Sequence, residues 1–281
     1  MIYITTGGFS DINAAQVTGN YLQSGITNIE LSAGKYCPDI ESMLEVYKDR
    51  CSFILHNYFP VPEVPFVLNL ASLNDEVFST SYEHIRSAVA MASRLGSKYY
   101  SFHAGFLLDP KPSELGQRIG KQAFFDRDQA VEQFVQAVNS LAKLAATQNV
   151  QLLIENNVCS PRNFEHFQAD PFLLSDPNGV DELFQHLEPE VGMLLDVAHL
   201  KVSANTLGYH TDKFVAQCHE LIGAYHLSDN CGTVDSNQPF DEASYFWEYL
   251  KSDLDYYSVE VYNEDNMKLI ELSNLVREKL F

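Results

Sequence analysis

Short apolar runs alternate along the chain with longer amphipathic ones. The short runs fall at 2–5 (IYIT), 28–31 (NIEL), 52–55 (SFIL), 99–102 (YYSF), 150–154 (VQLLI), 191–195 (VGMLL), 224–227 (AYHL) and 257–261 (YSVEV). Each is four or five residues long and rich in β-branched or aromatic side chains, the pattern of strands covered on both faces. Between them, segments 12–24, 39–48, 75–95, 128–148, 180–187, 212–221, 241–251 and 263–280 place apolar residues three and four apart, which predicts helices. Several open on Asp or Asn, side chains suited to first-turn amides. Gly96 sits just past the third, where a helix-terminating glycine belongs.

Eight strands alternating with eight helices predict a (β/α)8 TIM barrel, one α/β domain over residues 1–281. The competing architecture, an open doubly wound sheet, usually carries a glycine-rich phosphate loop after its first strand, and Gly7-Gly8 alone does not supply one. Two connections stand out by length, 104–127 after the fourth strand and 156–179 after the fifth. Loops that long inside a compact domain are usually functional or mobile.

A barrel gathers its chemistry at the C-terminal ends of its strands. Strand two holds Glu30. Strands three and four lead into His56 and His103. Strand five leads into Glu155, followed by Asn156 and Asn157. Strand six leads into Asp196, with His199 three residues on; strand seven holds His226, with Asp229 three residues on; strand eight holds Glu260. Glu155 follows LLI, Asp196 follows MLL and Glu260 stands between valines. A charge carried on so apolar a strand must be paired or cation-bound. Three converging carboxylates repel one another, and a divalent metal offsets that. Two Glu, one Asp and one His form an oxygen-rich ligand set suited to Mn, Mg, Co or Zn. The other histidines (His84, His166, His186, His210 and His219) fall on helices or loops and read as ordinary structural residues.

Charge and cysteine usage exclude whole classes of function. With 18 Lys and Arg against 38 Asp and Glu, the formal charge is −20, which works against nucleic acid and against an anionic membrane surface. No apolar stretch approaches the roughly 20 residues needed to cross a bilayer. The first ten residues have neither a basic region nor a long apolar core, so no secretory leader is read. Cys37, Cys51, Cys159, Cys218 and Cys231 are odd in number, scattered, and without a CxxC pair, which argues against a disulfide framework or a zinc knuckle. The expectation is a cytoplasmic protein. The 104–127 loop carries Lys111, Arg118, Lys121 and Arg127 against three acids and would be the place to contact a phosphate if the substrate carries one, with Arg162 a second candidate. Phe9, Tyr58, Phe59, Phe106 and Tyr262 lie near strand ends and are candidates for an apolar wall of a ligand pocket.

The runs LLIEN (152–156), LLDVAH (194–199), HLSD (226–229) and VEV (259–261) resemble the xylose isomerase-like superfamily, in barrel order on strands five to eight. That group includes sugar and sugar-phosphate isomerases and epimerases and the AP endonuclease family 2. The resemblance implies that Glu155, Asp196, His226 and Glu260 bind the metal. It also implies that Glu155 and Glu260 move protons on opposite faces of a small carbohydrate-like substrate through a metal-stabilised enediolate. His199 matches a substrate-facing histidine; Asn156, Asp229, His56 and His103 complete the expected substrate-binding set. A hydride shift, as in the metal-dependent aldose isomerases, is the alternative route.

His56 (in LHNYF) and His103 (in FHAG) also resemble two upstream zinc ligands of the AP endonuclease branch. A zinc metallohydrolase, or another di-metal enzyme using iron, is therefore the competing reading. That branch adds an Asp-x-His pair after strand seven. Here the stretch is Asp235-Ser236-Asn237, and the His is missing. Relatives are often oligomers, so a homo-oligomer is a further expectation. A binding protein that has lost its chemistry is the non-catalytic alternative, and the three mutually repelling carboxylates argue against it.

Overall fold

The computed structural model describes residues 1–281. Its strands are β1 (Ile2–Thr5), β2 (Asn28–Leu31), β3 (Ser52–His56), β4 (Tyr99–His103), β5 (Gln151–Glu155), β6 (Gly192–Asp196), β7 (Ile222–Leu227) and β8 (Tyr257–Val259). All pair in parallel in chain order, and β1 pairs with β8, so the sheet is a closed barrel and the open-sheet alternative falls away. The helices are α1 (Ala14–Gln23), α2 (Ile40–Glu45), α3 (Asp75–Arg94), α4 (Arg127–Thr147), α5 (Pro161–Phe167), α6 (Pro177–Phe184), α7 (Val197–Leu207), α8 (Thr211–Cys218) and α9 (Asn266–Leu280).

Local chemistry sets most helix starts. Asn13 and Gln16 form a reciprocal capping box on α1; Asn74, Asp126, Asp176, Asp196 and Asp265 accept first-turn amides of α3, α4, α6, α7 and α9. The main apolar core lies between sheet and helices. A smaller cluster of Tyr3, Ile54, Leu153, Leu194, Ala224 and Tyr256 packs separately from it. Side chains two apart on a strand share a face. Five members of that cluster therefore stand directly beneath Thr5, His56, Glu155, Asp196 and His226. This is a plug filling the barrel interior below the polar strand ends.

The segment 241–251 is not the helix its periodicity predicts. Only Trp247–Tyr249 form a short 3₁₀ turn. The Asp241 carbonyl, which a helix would give to the amide of residue 245, accepts instead from the Ser244 amide at 3.2 Å and the Trp247 indole N–H at 2.8 Å. Trp247 then packs against Phe240 and Phe246. The two long connections meet each other. Phe106 and Phe172 form an isolated antiparallel bridge, and Asn163 accepts the Ile119 amide at 3.0 Å. Asn69 anchors the first connection, accepting from the Phe106 amide and donating to the Phe106 and Leu108 carbonyls.

Candidate metal centre

Four of the predicted residues close β3 to β6: His56, His103, Glu155 and Asp196 are the last residues of their strands. Strands so buried spend most of their length against apolar neighbours, so a polar side chain needs either the open end of the cylinder or a polar partner. His226 lies within β7, and Glu260 stands just past β8. The parallel register sets His103 beside Glu155 and Asp196 beside His226, which brings the polar groups to one level.

Glu155, Asp196, His226 and Glu260 each offer one ligand atom, and these atoms lie within 4.8 Å of one another. Nδ1 of His226 is 2.9 Å from Glu260 Oε2, 3.4 Å from Glu155 Oε1 and 3.8 Å from Asp196 Oδ2. Two further groupings share Glu155, one with His56 and His226 and one with His103 and His199. Glu155 Oε2 is 3.4 Å from both His56 Nε2 and His103 Nδ1.

The electrostatics of this cluster are unbalanced. Burial alone would raise the Glu155 carboxyl, but the His103, His56 and His226 imidazoles outweigh it and hold it well below its usual value. Glu260 likewise resists burial through His226 and falls to about 2. Asp196 does not: burial, together with the Glu260, Glu155 and Asp235 charges, pushes it well above the carboxylate range despite His199. Burial pulls His103 down to about 4, whereas the acids around His226 and His199 outweigh burial and raise both. Glu155 Oε2, Asp196 Oδ2, His226 Nδ1 and His103 Nδ1 are buried with no hydrogen-bond partner. Buried polar atoms are rarely left so. A divalent cation answers both the missing partners and the repulsion, so the residues present fit one.

The remaining expected residues divide. His199 joins the cluster's rim, its Nδ1 2.9 Å from the Asn156 carbonyl and its Nε2 3.2 Å from Asp235 Oδ2. Asn156 is a clamp, its side chain bonded to both the amide and the carbonyl of Asp196 at 2.8 and 3.0 Å. Asp229 faces elsewhere and is held by Lys201 Nζ at 2.6 Å and Ser244 Oγ at 2.8 Å. Asn237 turns its amide to the Glu260 carbonyl at 3.2 Å. Two residues outside the expected ligand set buttress the cluster: Tyr262, expected in the apolar wall, and Glu30, given no role from sequence. Tyr262 donates to Glu260 Oε1 at 2.8 Å, and Glu30, fully buried, accepts from His226 Nε2 at 2.8 Å. Burial would raise the Glu30 carboxyl, but His226 outweighs it and keeps it low.

A cavity of about 330 Å³ opens beside the cluster. Its lining includes His103, His199 and Asp235 from the polar groups and Tyr58, Phe106, Ile119 and Phe172 from the apolar ones. Of the expected apolar wall, Tyr58 and Phe106 are in place, whereas Phe59 is core and Phe9 packs on Tyr21. The one cation on the lining is Arg162; Arg127, from the expected basic loop, pairs instead with Glu182.

The family model described as a xylose isomerase-like TIM barrel matches residues 24–274. The chain belongs to this family. Among solved structures, a D-tagatose 3-epimerase-like protein is 16% identical with a TM-score of 0.73, covering 99% of this chain and 96% of its own. An L-ribulose 3-epimerase is 15% identical with a TM-score of 0.70, covering 99% and 94%. A protein from Thermus thermophilus, soaked with ZnCl2, is 18% identical with a TM-score of 0.63, covering 96% and 98%. At these identities the likeness is one of fold. No curated protein matches the chain. This xylose isomerase-like barrel thus carries a buried Glu, Asp and His cluster at its strand ends, and no helix is long and apolar enough to cross a membrane.

Proposed function

We propose that the protein is a metal-dependent isomerase or epimerase that moves a proton on the carbon beside a carbonyl in a small carbohydrate-like substrate. The observation that carries this reading is the convergence of Glu155, Asp196, Glu260 and His226 with four ligand-type atoms unpartnered in and beside that set. Those four residues would hold the ion. A bound divalent ion supplies positive charge against the oxyanion that develops when a proton leaves the adjacent carbon. Glu260, kept ionised beside His226 and oriented by Tyr262, accepts a proton; Glu155, ionised among imidazoles, serves the second transfer. His199, held at Nδ1 by the Asn156 carbonyl and at Nε2 by Asp235, stands with Asp235 on the cavity lining, where the pair can meet a substrate hydroxyl.

A second reading, a zinc metallohydrolase, is favoured by the approach of His56 and His103 to Glu155. Against it stand Asn237, an amide bonded to the Glu260 carbonyl where the hydrolase pattern has a His, and a cavity lined by a single Arg and no Lys. Metal content separates the two readings: one ion per chain fits the isomerase, two or three with zinc dominant fit the hydrolase. The direct test is solvent tritium incorporation into a panel of ketoses by Mn-loaded protein. Glu155→Gln and Glu260→Gln should each lower the exchange rate by about 10²–10⁴ with the fold intact. No metal-dependent exchange across the panel would overturn proton-transfer isomerisation.

A further inference from the structure

Two of the histidines that face the cluster, His56 and His226, have their other nitrogens tied together beneath it. His226 Nε2 bonds Glu30 Oε2 at 2.8 Å, and Tyr256 Oη donates to the same oxygen. Ser101 Oγ lies 3.4 Å from Tyr256 Oη, the longest link, and 3.0 Å from His56 Nδ1. Glu30, Tyr256, Ser101, His56 and His226 are all buried. The chain therefore runs His226–Glu30–Tyr256–Ser101–His56, across the inside of the cylinder and out of reach of solvent.

One end fixes the direction of every bond. Glu30 Oε2 receives two donors, and Glu30 Oε1 has no partner to take a carboxyl proton, so the group acts as an acceptor only. Tyr256 must then donate to Glu30, which leaves its oxygen to accept from the Ser101 hydroxyl. Ser101, having given its proton, accepts from His56 Nδ1–H. By the same logic His226 carries its proton on Nε2. The nitrogens left to face the cluster are His226 Nδ1, toward Glu155, Asp196 and Glu260, and His56 Nε2, toward Glu155, and a cation bound there would take the lone pair of each.

We infer that Glu30 is a positioning residue that sets the tautomers of His226 directly and of His56 through Tyr256 and Ser101, so that both imidazoles are prepared to bind a cation. The inference rests on the metal reading of the cluster. Outer partners of this kind orient a ligand ring and raise its basicity, and their loss commonly lowers metal affinity 10–100-fold.

The test uses the full chain labelled with ¹⁵N-histidine. Imidazole ¹H–¹⁵N correlation spectra are recorded with and without zinc, and zinc affinity is measured by chelator competition. In the zinc-loaded parent, His226 should be protonated at Nε2 and His56 at Nδ1. Glu30→Gln should lower zinc affinity about 10–100-fold and remove the slow exchange of the His226 Nε2 proton. Tyr256→Phe should keep the His226 pattern and turn His56 into a mixture of tautomers. A parent with His226 protonated at Nδ1 alone overturns the inference. So do variants that keep both parental tautomers, whatever happens to their affinity. If Glu30→Gln does not fold, the His56 spectrum of Tyr256→Phe decides. If the parent takes up no zinc, the metal reading fails instead, and His56 in the metal-free parent and Tyr256→Phe still decides whether the chain sets its tautomer.

Discussion

A carboxylate withdrawn from water must find positive charge or protonate, and the acids of this barrel do not share that charge equally. Glu155, Glu260 and Glu30 are each held low by imidazoles, while Asp196, closest to its fellow acids in effect, is driven up. Away from the cluster, His84 shows the opposite case. Its Nε2 lies 3.2 Å from the Asn57 carbonyl, and burial pulls the ring down to about 4. An unfolded chain would protonate this ring near 6.5. The unfolded state therefore binds the extra proton, and stability falls as pH drops through 6.5 and levels off near 4, by about 3 kcal/mol. His84→Gln should flatten that slope in urea titrations at stepped pH; a slope identical to the parent's would show that the ring contributes nothing. Single residues also show how far the sequence can be read. An acid on a strand otherwise built of Leu, Ile and Val announces itself, as Glu155 and Asp196 do. Asp229 and Asn156 both follow strand ends as polar residues beside the site, yet one meets Lys201 and the other clamps the backbone of Asp196. Position along a strand gives height on the barrel; what a side chain meets depends on neighbours tens of residues away in the chain.

Elements place these residues through close approaches that tolerate little change. A Cβ on Gly7, just past β1, would fall 2.5 Å from Tyr262 Oη. That hydroxyl orients Glu260. Gly7→Ala should cost about 1–3 kcal/mol in chemical denaturation, because the ring must shift within a packed site. It should also weaken metal binding by displacing the donor to Glu260, and unchanged metal affinity would show that the tyrosine adapts. All eight strands are legible as apolar runs because they are buried on both faces, although several extend one residue further, to the polar residue that closes them. The helices are less uniform. α7 escapes notice because Val197, Ala198, Leu200, Val202, Ser203 and Ala204 are all buried, which erases the amphipathic rhythm. α5 is too short, at 7 residues, to show a period. The segment 241–251 has the period but loses its backbone bonds to Trp247.

For the molecule as a whole, the charge of −20 and the concentrated acids at the strand ends act in one direction. An ion that binds only the folded state adds about 2.7 kcal/mol of stability at a free concentration one hundred times its Kd. Manganese or zinc should therefore raise the midpoint of thermal unfolding by several degrees, and EDTA should lower it again. The Glu155→Gln protein should lose most of that response, and an equal rise in parent and variant would place the ion elsewhere. The closure of the sheet has a separate bearing on how copies of this chain can meet. With β1 bonded to β8, the ring has no rim strand whose amides stand idle, so a neighbouring copy cannot add itself by extending the ladder. Whatever assemblies the protein forms must be joined through its helices and loops, and their strength is then set by side-chain fit rather than by backbone templating.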